Sequence, residues 1–183
     1  MQTYIAFLRG INVSGKNLIK MADLKNKVPK HFLHFTTYIQ SGNLVFASDK
    51  SITELEKELH NLILSQFNWN VEVFVYDLDF IEKLPLKNPY LKTGDTDLKR
   101  VMVTFLKEDY NEESKQGLIQ LLSEGENIQF DGSIIFGYFP NAYGKAKLSN
   151  NFIEQKLKTA ATTRNWNTML KMNSLGNEVK SLL

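Results

Sequence analysis

The chain has 183 residues, of which 43% are apolar and 23% are charged, and its formal net charge is +2. This composition suits one globular domain or two small ones and excludes a disordered chain. The charge is too small to indicate nucleic acid or anionic membrane as a partner, so any electrostatic attraction must be local. Cysteine is absent, which excludes disulfides and thiolate chemistry.

The termini and hydropathy predict a cytoplasmic protein with no membrane partner. No apolar run approaches the roughly 20 residues that a membrane span needs. The N-terminus enters a strand-like run directly, without a basic segment or cleavage site, so we expect no signal peptide. The histidines and aspartates lack the spacing of metal ligands, and no cofactor is predicted.

The first half of the chain shows the element order βαββαβ. Alternating, β-rich residues predict strands over 3–8, 35–40, 44–47 and 71–76. Apolar residues at helical spacing predict helices over 21–28 and 51–67, the second opened by a capping box of Ser51 and Glu54. Asp77 is expected to cap a further short helix. This order is that of the ferredoxin-like unit.

The second half repeats most of this order. Strands are predicted over 101–106, 128–130 and 134–139, the last two as a hairpin, and helices over 112–123, 151–158 and 166–175. Thr163 or Asn165 would cap the last helix, which closes this half in place of a fourth strand. We therefore predict an α+β fold of two tandem ferredoxin-like halves, a structural duplication with mostly antiparallel sheets, helices on one face and a C-terminal helix. The predicted domains are residues 1–83 and 100–183, joined by a linker over 84–99.

This topology predicts where a ligand would bind. Strands of a ferredoxin-like unit alternate in direction, so the loop after the first strand and the turn between the second and third lie at one edge of the sheet. We therefore expect residues 10–17 to lie near residues 40–43. The side chains that these two segments offer a ligand are Arg9, Asn12, Lys16, Asn17, Gln40, Ser41 and Asn43.

The first loop admits three interpretations. Gly10 to Lys16 has the G-x-x-x-x-G-K spacing of a P-loop, but Asn17 replaces the Ser or Thr that binds magnesium, and helical sequence begins several residues late. The loop is otherwise a structural turn with glycines at positive φ, or an anion-binding loop of another kind that uses backbone N–H groups and Lys16.

Cations also occur in the second half. Lys145 and Lys147 lie in a glycine-containing loop, and Arg164 precedes the last helix, where it either anchors a carboxylate or faces a ligand. The stretches that contain all these candidates hold cations, amides and hydroxyls but no Asp, Glu or His. Because general acid–base catalysis draws on such groups, their absence argues against a hydrolase and favours binding, or a transfer reaction driven by charge stabilisation.

Two functions from different classes follow. The first is binding of a small phosphate- or carboxylate-bearing ligand at residues 10–17 and 40–43, with enzymatic activity left open. The alternative is an RNA-binding module, since ferredoxin-like sheets are a common RNA platform. The third predicted strand lacks the alternating aromatic residues on which bases stack, which weakens that alternative.

The stretches RGINVSGKN, TYIQSGNLVF and TTRNWNTMLKM together resemble a bacterial family, domain of unknown function 1697. The resemblance extends from Met1 to about Leu175. The family pattern usually has Gly at the position of Ser14 and Ser at that of Ala146, and this chain departs from it at both. The resemblance implies a fold of two ferredoxin-like halves and no established substrate or activity.

Overall fold

The computed structural model describes residues 1–13, 15–92 and 96–183. The strands are β1 (Gln2–Leu8), β2 (Leu33–Tyr38), β3 (Asn43–Ser48), β4 (Val73–Asp77), β5 (Val101–Leu106), β6 (Asn127–Asp131), β7 (Ile134–Tyr138) and β8 (Ala161–Asn165). The helices are α1 (Met21–Lys27), α2 (Ile52–Phe67), α3 (Leu78–Lys87), α4 (Glu112–Ile119), α5 (Asn150–Leu157) and α6 (Trp166–Lys180). Within the described ranges, none of these helices combines the length and apolarity that crossing a bilayer requires.

The strands form two four-stranded sheets with the same connectivity. Their orders are β2-β3-β1-β4 and β6-β7-β5-β8, and every neighbouring pair is antiparallel. In each sheet the first strand of the unit lies in the centre, between the third and the fourth. The predicted fold of two ferredoxin-like halves is confirmed.

Contacts divide the chain into two compact units. The first comprises Met1–Lys83 and Leu170–Leu183, and the second comprises Leu84–Met169, so α3 and α6 each contribute residues to both. Residues 84–99, predicted as a linker, contain the end of α3 and two 3-10 helices, Pro89–Leu91 and Leu98–Arg100. Residues 93–95 lie outside the described ranges. Pro85 lies inside α3. Proline has no backbone N–H and ordinarily ends a helix, so the sequence does not predict how far α3 extends.

The prediction that a helix replaces the fourth strand of the second half is wrong. Residues Ala161–Asn165 form β8, which pairs with β5 from Met102↔Asn165 to Leu106↔Ala161. Thr163 lies inside this strand, whereas Asn165 caps α6, its Oδ1 accepting from the Asn167 N–H at 3.0 Å. Thr and Asn are residue types that often cap helices or form turns. The local sequence therefore predicts a helix start at residues that form a short polar strand.

The core of the first unit lies between its sheet and its helices. The predicted capping box of Ser51 and Glu54 is present, and it starts α2. One face of α2 is then buried at helical spacing by Leu55, Leu59 and Ile63, as the sequence predicts. On the sheet, the side chains that complete this core include Tyr4, Ala6, Leu8, Leu44, Phe46, Val73 and Val75.

The turn between β2 and β3 begins earlier than predicted. Strand β2 ends at Tyr38 instead of residue 40, because Asn43 closes the strand end by donating from Nδ2 to the Tyr38 carbonyl at 3.0 Å. Ile39 and Gly42 then adopt left-handed backbone conformations, with φ of 49° and 75°. The Gly42 carbonyl accepts from the Leu8 N–H at 2.8 Å, which holds the turn against the end of β1.

A substitution of Gly42 tests how closely this turn packs against Leu8 and Ile11. A Cβ at Gly42 would lie 2.7 Å from Leu8 Cβ and 2.8 Å from Ile11 Cδ1, whereas one at Gly15, which has the same φ of +75°, would meet nothing within 4 Å. We expect Gly15→Ala to cost about 1 kcal/mol of stability for its left-handed conformation. Gly42→Ala should cost about 2–4 kcal/mol, since overpacking adds to that strain. Thermal unfolding of the two variants measures the difference, and equal losses would contradict the close packing.

Candidate functional site

The loop after β1 and the turn before β3 meet at one end of the first sheet. Strands β1 and β3 pair as far as Phe7↔Asn43, and the Leu8 N–H then bonds to the Gly42 carbonyl. Beyond β1, Asn12 Nδ2 donates to the Gln40 carbonyl at 2.6 Å. The proximity that we predicted from the topology is therefore present in the structure.

The Asn12 carboxamide joins three separate segments of the chain. Its Nδ2 donates to the carbonyls of Ile19 at 2.8 Å and Gln40 at 2.6 Å, and its Oδ1 accepts from the Ile19 N–H at 2.9 Å. The Asn12 backbone is left-handed, with φ of 54°, a conformation that asparagine tolerates better than most residues. Asn12 therefore positions the loop, and its amide hydrogens are used within the fold instead of facing a ligand.

The tip of the loop is a small hairpin that presents Lys16. Val13 and Lys16 form an antiparallel bridge, in which the Lys16 N–H donates to the Val13 carbonyl at 2.9 Å. Asn17 closes the base, since its carbonyl accepts from the Asn12 N–H at 3.2 Å and its Nδ2 donates to the Gly10 carbonyl at 3.1 Å. Ser14 lies outside the described residues. The Lys16 side chain is exposed at this tip.

The geometry does not support the P-loop interpretation. Helix α1 begins at Met21, after an extended Lys20, so its N-terminus does not follow the loop directly. The sheet is antiparallel, and Asp77 pairs with Tyr4 near the start of β1, whereas the loop leaves the other end of that strand. A P-loop protein also has an acidic residue at a strand end beside the loop that helps to hold magnesium. Asp77, the acidic residue that ends β4, lies at the opposite end of the sheet from this loop.

The remaining candidates of the first unit differ in their accessibility. Asn43 is buried, and its Nδ2 donates to the Tyr38 carbonyl and to Ser41 Oγ at 2.9 Å, so it shapes the turn. Arg9 is half-buried, and its backbone N–H donates to the Glu72 carbonyl at 2.9 Å. Gln40 is exposed beside the loop. Lys16 and Gln40 are thus the candidates whose side chains are most open to a ligand.

The cationic loop of the second unit contains a partly buried tyrosine. Lys145 and Lys147 are exposed, whereas the Tyr143 hydroxyl lies 3.3 Å from Thr163 Oγ1. Thr163 Oγ1 in turn donates to Asn150 Oδ1 at 2.5 Å and lies 2.7 Å from Thr104 Oγ1. Burial raises the pKa of Tyr143 above its ordinary value. This hydroxyl cluster ties the loop to β8 and α5.

Arg164 is not brought to this loop. Side chains alternate along a strand, so Arg164 points to the face of β8 opposite Thr163 and Tyr143. It is buried, and its Nη1 donates to Thr162 Oγ1 at 2.7 Å and to the Thr163 carbonyl at 2.9 Å. Burial lowers its pKa to about 10, so the guanidinium still carries its charge at neutral pH. Arg164 is part of the interior of the fold.

A small cavity in the second unit and a larger cleft in the first unit differ in volume and in the side chains that line them. One in the second unit measures about 10 Å³ and is lined mainly by apolar side chains together with Thr104 and Tyr143, so it has room for one water molecule. A cleft of about 260 Å³ in the first unit lies at the start of β1, lined by Asp77, Asp79 and Lys180. Lys180 pairs with Asp79 at 3.6 Å, which leaves Asp77 to oppose an anion there. Among the described residues no three acidic or histidine side chains cluster as metal ligands.

Three exposed aliphatic residues in and beside the loop are not predicted by the sequence pattern. Val13, Leu18 and Ile39 have 58%, 63% and 51% of their surface exposed. Ile39 had been placed inside a strand, where alternate side chains are buried, and the residues around Val13 and Leu18 indicated only a polar loop. The polar residues at positions 40–43 could have indicated that the turn extends back to Ile39.

The shared strand order defines the protein as a tandem ferredoxin-like α+β protein. A family model described as a protein of unknown function (DUF1697) matches residues 1–136, and the chain belongs to this family. The chain is also similar to a conserved bacterial protein, SP0830 from Streptococcus pneumoniae, with a TM-score of 0.72 and 24% identity over 96% of this chain and 98% of that one. At this identity the likeness concerns the fold alone. No curated protein matches the chain.

Paired glycine substitutions test the role of Asn12. Asn12→Gly keeps the left-handed backbone but removes three side-chain hydrogen bonds, whereas Asn17→Gly, at φ of 48°, removes one. At about 0.5–1.5 kcal/mol for each bond, we expect losses of about 2–4 and about 1 kcal/mol of stability. Thermal unfolding gives the comparison, and amide exchange at Lys16 should accelerate more in Asn12→Gly. Equal effects of the two variants would show that the Asn12 side chain does not stabilise the loop more than the Asn17 side chain does.

Proposed function

We propose that the loop over residues 10–17 and the turn over 39–42 bind a small ligand through its phosphate or carboxylate group. The Lys16 ammonium carries this proposal. It is exposed at the tip of a loop that Asn12 ties to the turn, and within the described ranges it forms no ion pair with a carboxylate. An exposed cation on a loop whose backbone is held in place, with no carboxylate to neutralise it, is suited to an external anion.

The local charge supports this proposal although the net charge is small. Arg9, Lys16 and Lys20 lie within residues 9–22, which contain no Asp or Glu. Such a concentration of one sign creates a local positive potential that attracts anions and raises their association rate. The exposed Gln40 carboxamide beside the loop adds neutral donors that can orient a phosphate or carboxylate oxygen.

The backbone of the loop supports it as well. Gly10, Asn12, Gly15 and Asn17 are left-handed, with φ of 65°, 54°, 75° and 48°. Left-handed residues in a loop can turn neighbouring backbone N–H groups toward a common side, which is a recurrent way of binding anions in proteins. The Asn12 and Lys16 N–H groups already donate to Asn17 and Val13, so other N–H groups of the loop would supply such contacts. This support comes from loop geometry and does not require a helix N-terminus.

The side chains of the loop and turn favour binding over acid–base chemistry. Neither segment contains Asp, Glu or His. A reaction at this site would therefore depend on charge stabilisation by Lys16 and the backbone, as in group transfer, and not on proton transfer by a local carboxylate or imidazole.

A thermal-shift experiment with inorganic phosphate and pyrophosphate tests the site. At 100 times its dissociation constant a ligand stabilises the fold by about 2.7 kcal/mol, which for this chain length is roughly 5–11 °C in Tm. We expect Lys16→Gln to reduce this affinity about ten- to hundredfold, since a charge-assisted hydrogen bond contributes about 1.5–3 kcal/mol. Citrate and acetate in the same assay separate phosphate from carboxylate recognition.

Lys30→Gln is the matched control. Lys30 is exposed and lies before β2, whereas the turn follows β2, so a six-residue strand of roughly 20 Å separates them. Potassium chloride at equal ionic strength accounts for general salt effects. Equal shifts in Lys16→Gln and Lys30→Gln would overturn the proposal, and a low-salt shift with labelled RNA, absent with small anions, would favour the RNA-binding alternative instead.

A further inference from the structure

Three exposed aliphatic residues belong to the segments that form the proposed anion site. Val13, Leu18 and Ile39, which we call the aliphatic rim, are each more than half exposed. Elsewhere in the first unit most large apolar residues of the strands are buried, including those of β1 and β3. Single exposed aliphatic residues are common on protein surfaces, so the rim is informative only if its members lie together.

The Asn12 carboxamide brings the three residues together. Val13 follows Asn12 in the chain, Leu18 precedes Ile19, and Ile39 precedes Gln40. Asn12 Nδ2 donates to the carbonyls of both Ile19 and Gln40, so the three backbones meet at one amide group. Each rim residue is one peptide unit, about 3.8 Å between Cα atoms, from this meeting point.

Lys16 lies within the same small area. It bridges directly to Val13 and is two residues from Leu18 in the chain. The backbone of Lys16 and those of the three rim residues therefore lie within one small area of the protein, and all four side chains are exposed there. Inorganic phosphate would engage only the Lys16 ammonium and leave the rim in water, whereas a ligand with an anionic and an apolar group would engage both.

Ile39 shows that the rim is not a consequence of turn formation. Its φ of 49° is in the left-handed region, which a β-branched residue rarely adopts. A turn at this position would form with less strain if Ile39 were Gly, Asn or Asp, and with less apolar surface in water. Backbone strain of this kind concentrates at functional sites, where the side chain serves another purpose.

We propose that the anion held at Lys16 belongs to an organic ligand, a phosphate monoester or a carboxylate, whose apolar group packs on Val13, Leu18 and Ile39. This inference rests on the proposed function and specifies its ligand class. The apolar group covers the rim while the anionic group contacts the Lys16 ammonium. Ile39 is then a specificity-determining residue, retained in a strained conformation because its side chain contacts the ligand.

Calorimetric titration with inorganic phosphate, methyl phosphate, butyl phosphate and phenyl phosphate tests this inference. We expect affinity to rise along the series, with phenyl phosphate at least about tenfold tighter than inorganic phosphate. In Ile39→Asn the ratio of these two affinities should fall to about two or less. Asparagine adapts to the left-handed backbone, so the variant should also show a higher Tm than the parent protein.

Ile52→Asn is the control for the same change of side chain. Ile52 is partly exposed and opens α2 after β3, at the end of the sheet away from the turn, and its substitution should leave the affinity ratio unchanged.

Phosphate binding without any gain from the apolar group would overturn this inference and leave the proposed function intact. Failure of every probe to bind would overturn both. Binding to phosphatidylglycerol vesicles that depends on Ile39, with no gain from the soluble esters, would replace the small ligand by a lipid surface.

Discussion

The hydrogen bonds of a single side-chain amide determine the shape of the end of the first sheet. Asn12 reaches Gln40 across 28 residues of sequence and also holds the chain at Ile19. Its two N–H groups and its carbonyl oxygen are all engaged, so the loop after β1 and the turn before β3 are one connected structure. The convergence of the backbones at Asn12, Ile19 and Gln40, and with it the closeness of the rim residues in space, depends on these hydrogen bonds.

The second unit shows that the shared fold alone does not produce the site. At the end of its central strand, the Leu106 N–H bonds to the Ser133 carbonyl at 2.8 Å and the Lys107 N–H to the Ala160 carbonyl at 3.0 Å. In the first unit, Leu8 and Arg9 make the same pair of bonds, to Gly42 and Glu72, at 2.8 and 2.9 Å. The loop that follows β5, however, contains Glu108 and Asp109 and no glycine. The features of the proposed site therefore belong to the loop sequence of the first unit and not to the fold that both units share.

Local patterns in the sequence were sufficient for most of the fold. Strand alternation, helical spacing and the capping box of Ser51 and Glu54 are properties of neighbouring residues. Apart from β8, the structure confirms the order of helices and strands that they predict. The topology then places the first loop beside the turn, because β1 and β3 are antiparallel and the end of β1 lies at the same edge of the sheet as the start of β3. The same patterns failed where one residue type serves two structures, as with Thr163 in β8 and Pro85 inside α3.

The amino-acid sequence by itself therefore determined the two ferredoxin-like halves, the meeting of the loop and the turn, and the concentration of positive charge around Lys16. Only the tertiary structure decided which polar side chains are used within the fold and which face solvent. Asn12 and Asn43 bind backbone carbonyls, Arg164 is buried beside Thr162, and Ile39 is exposed in a strained turn. The physical reason is that the spacing of residues predicts which face of a helix or strand a side chain occupies. The hydrogen-bond partner and the exposure of that side chain depend on other segments, which packing brings from elsewhere in the chain.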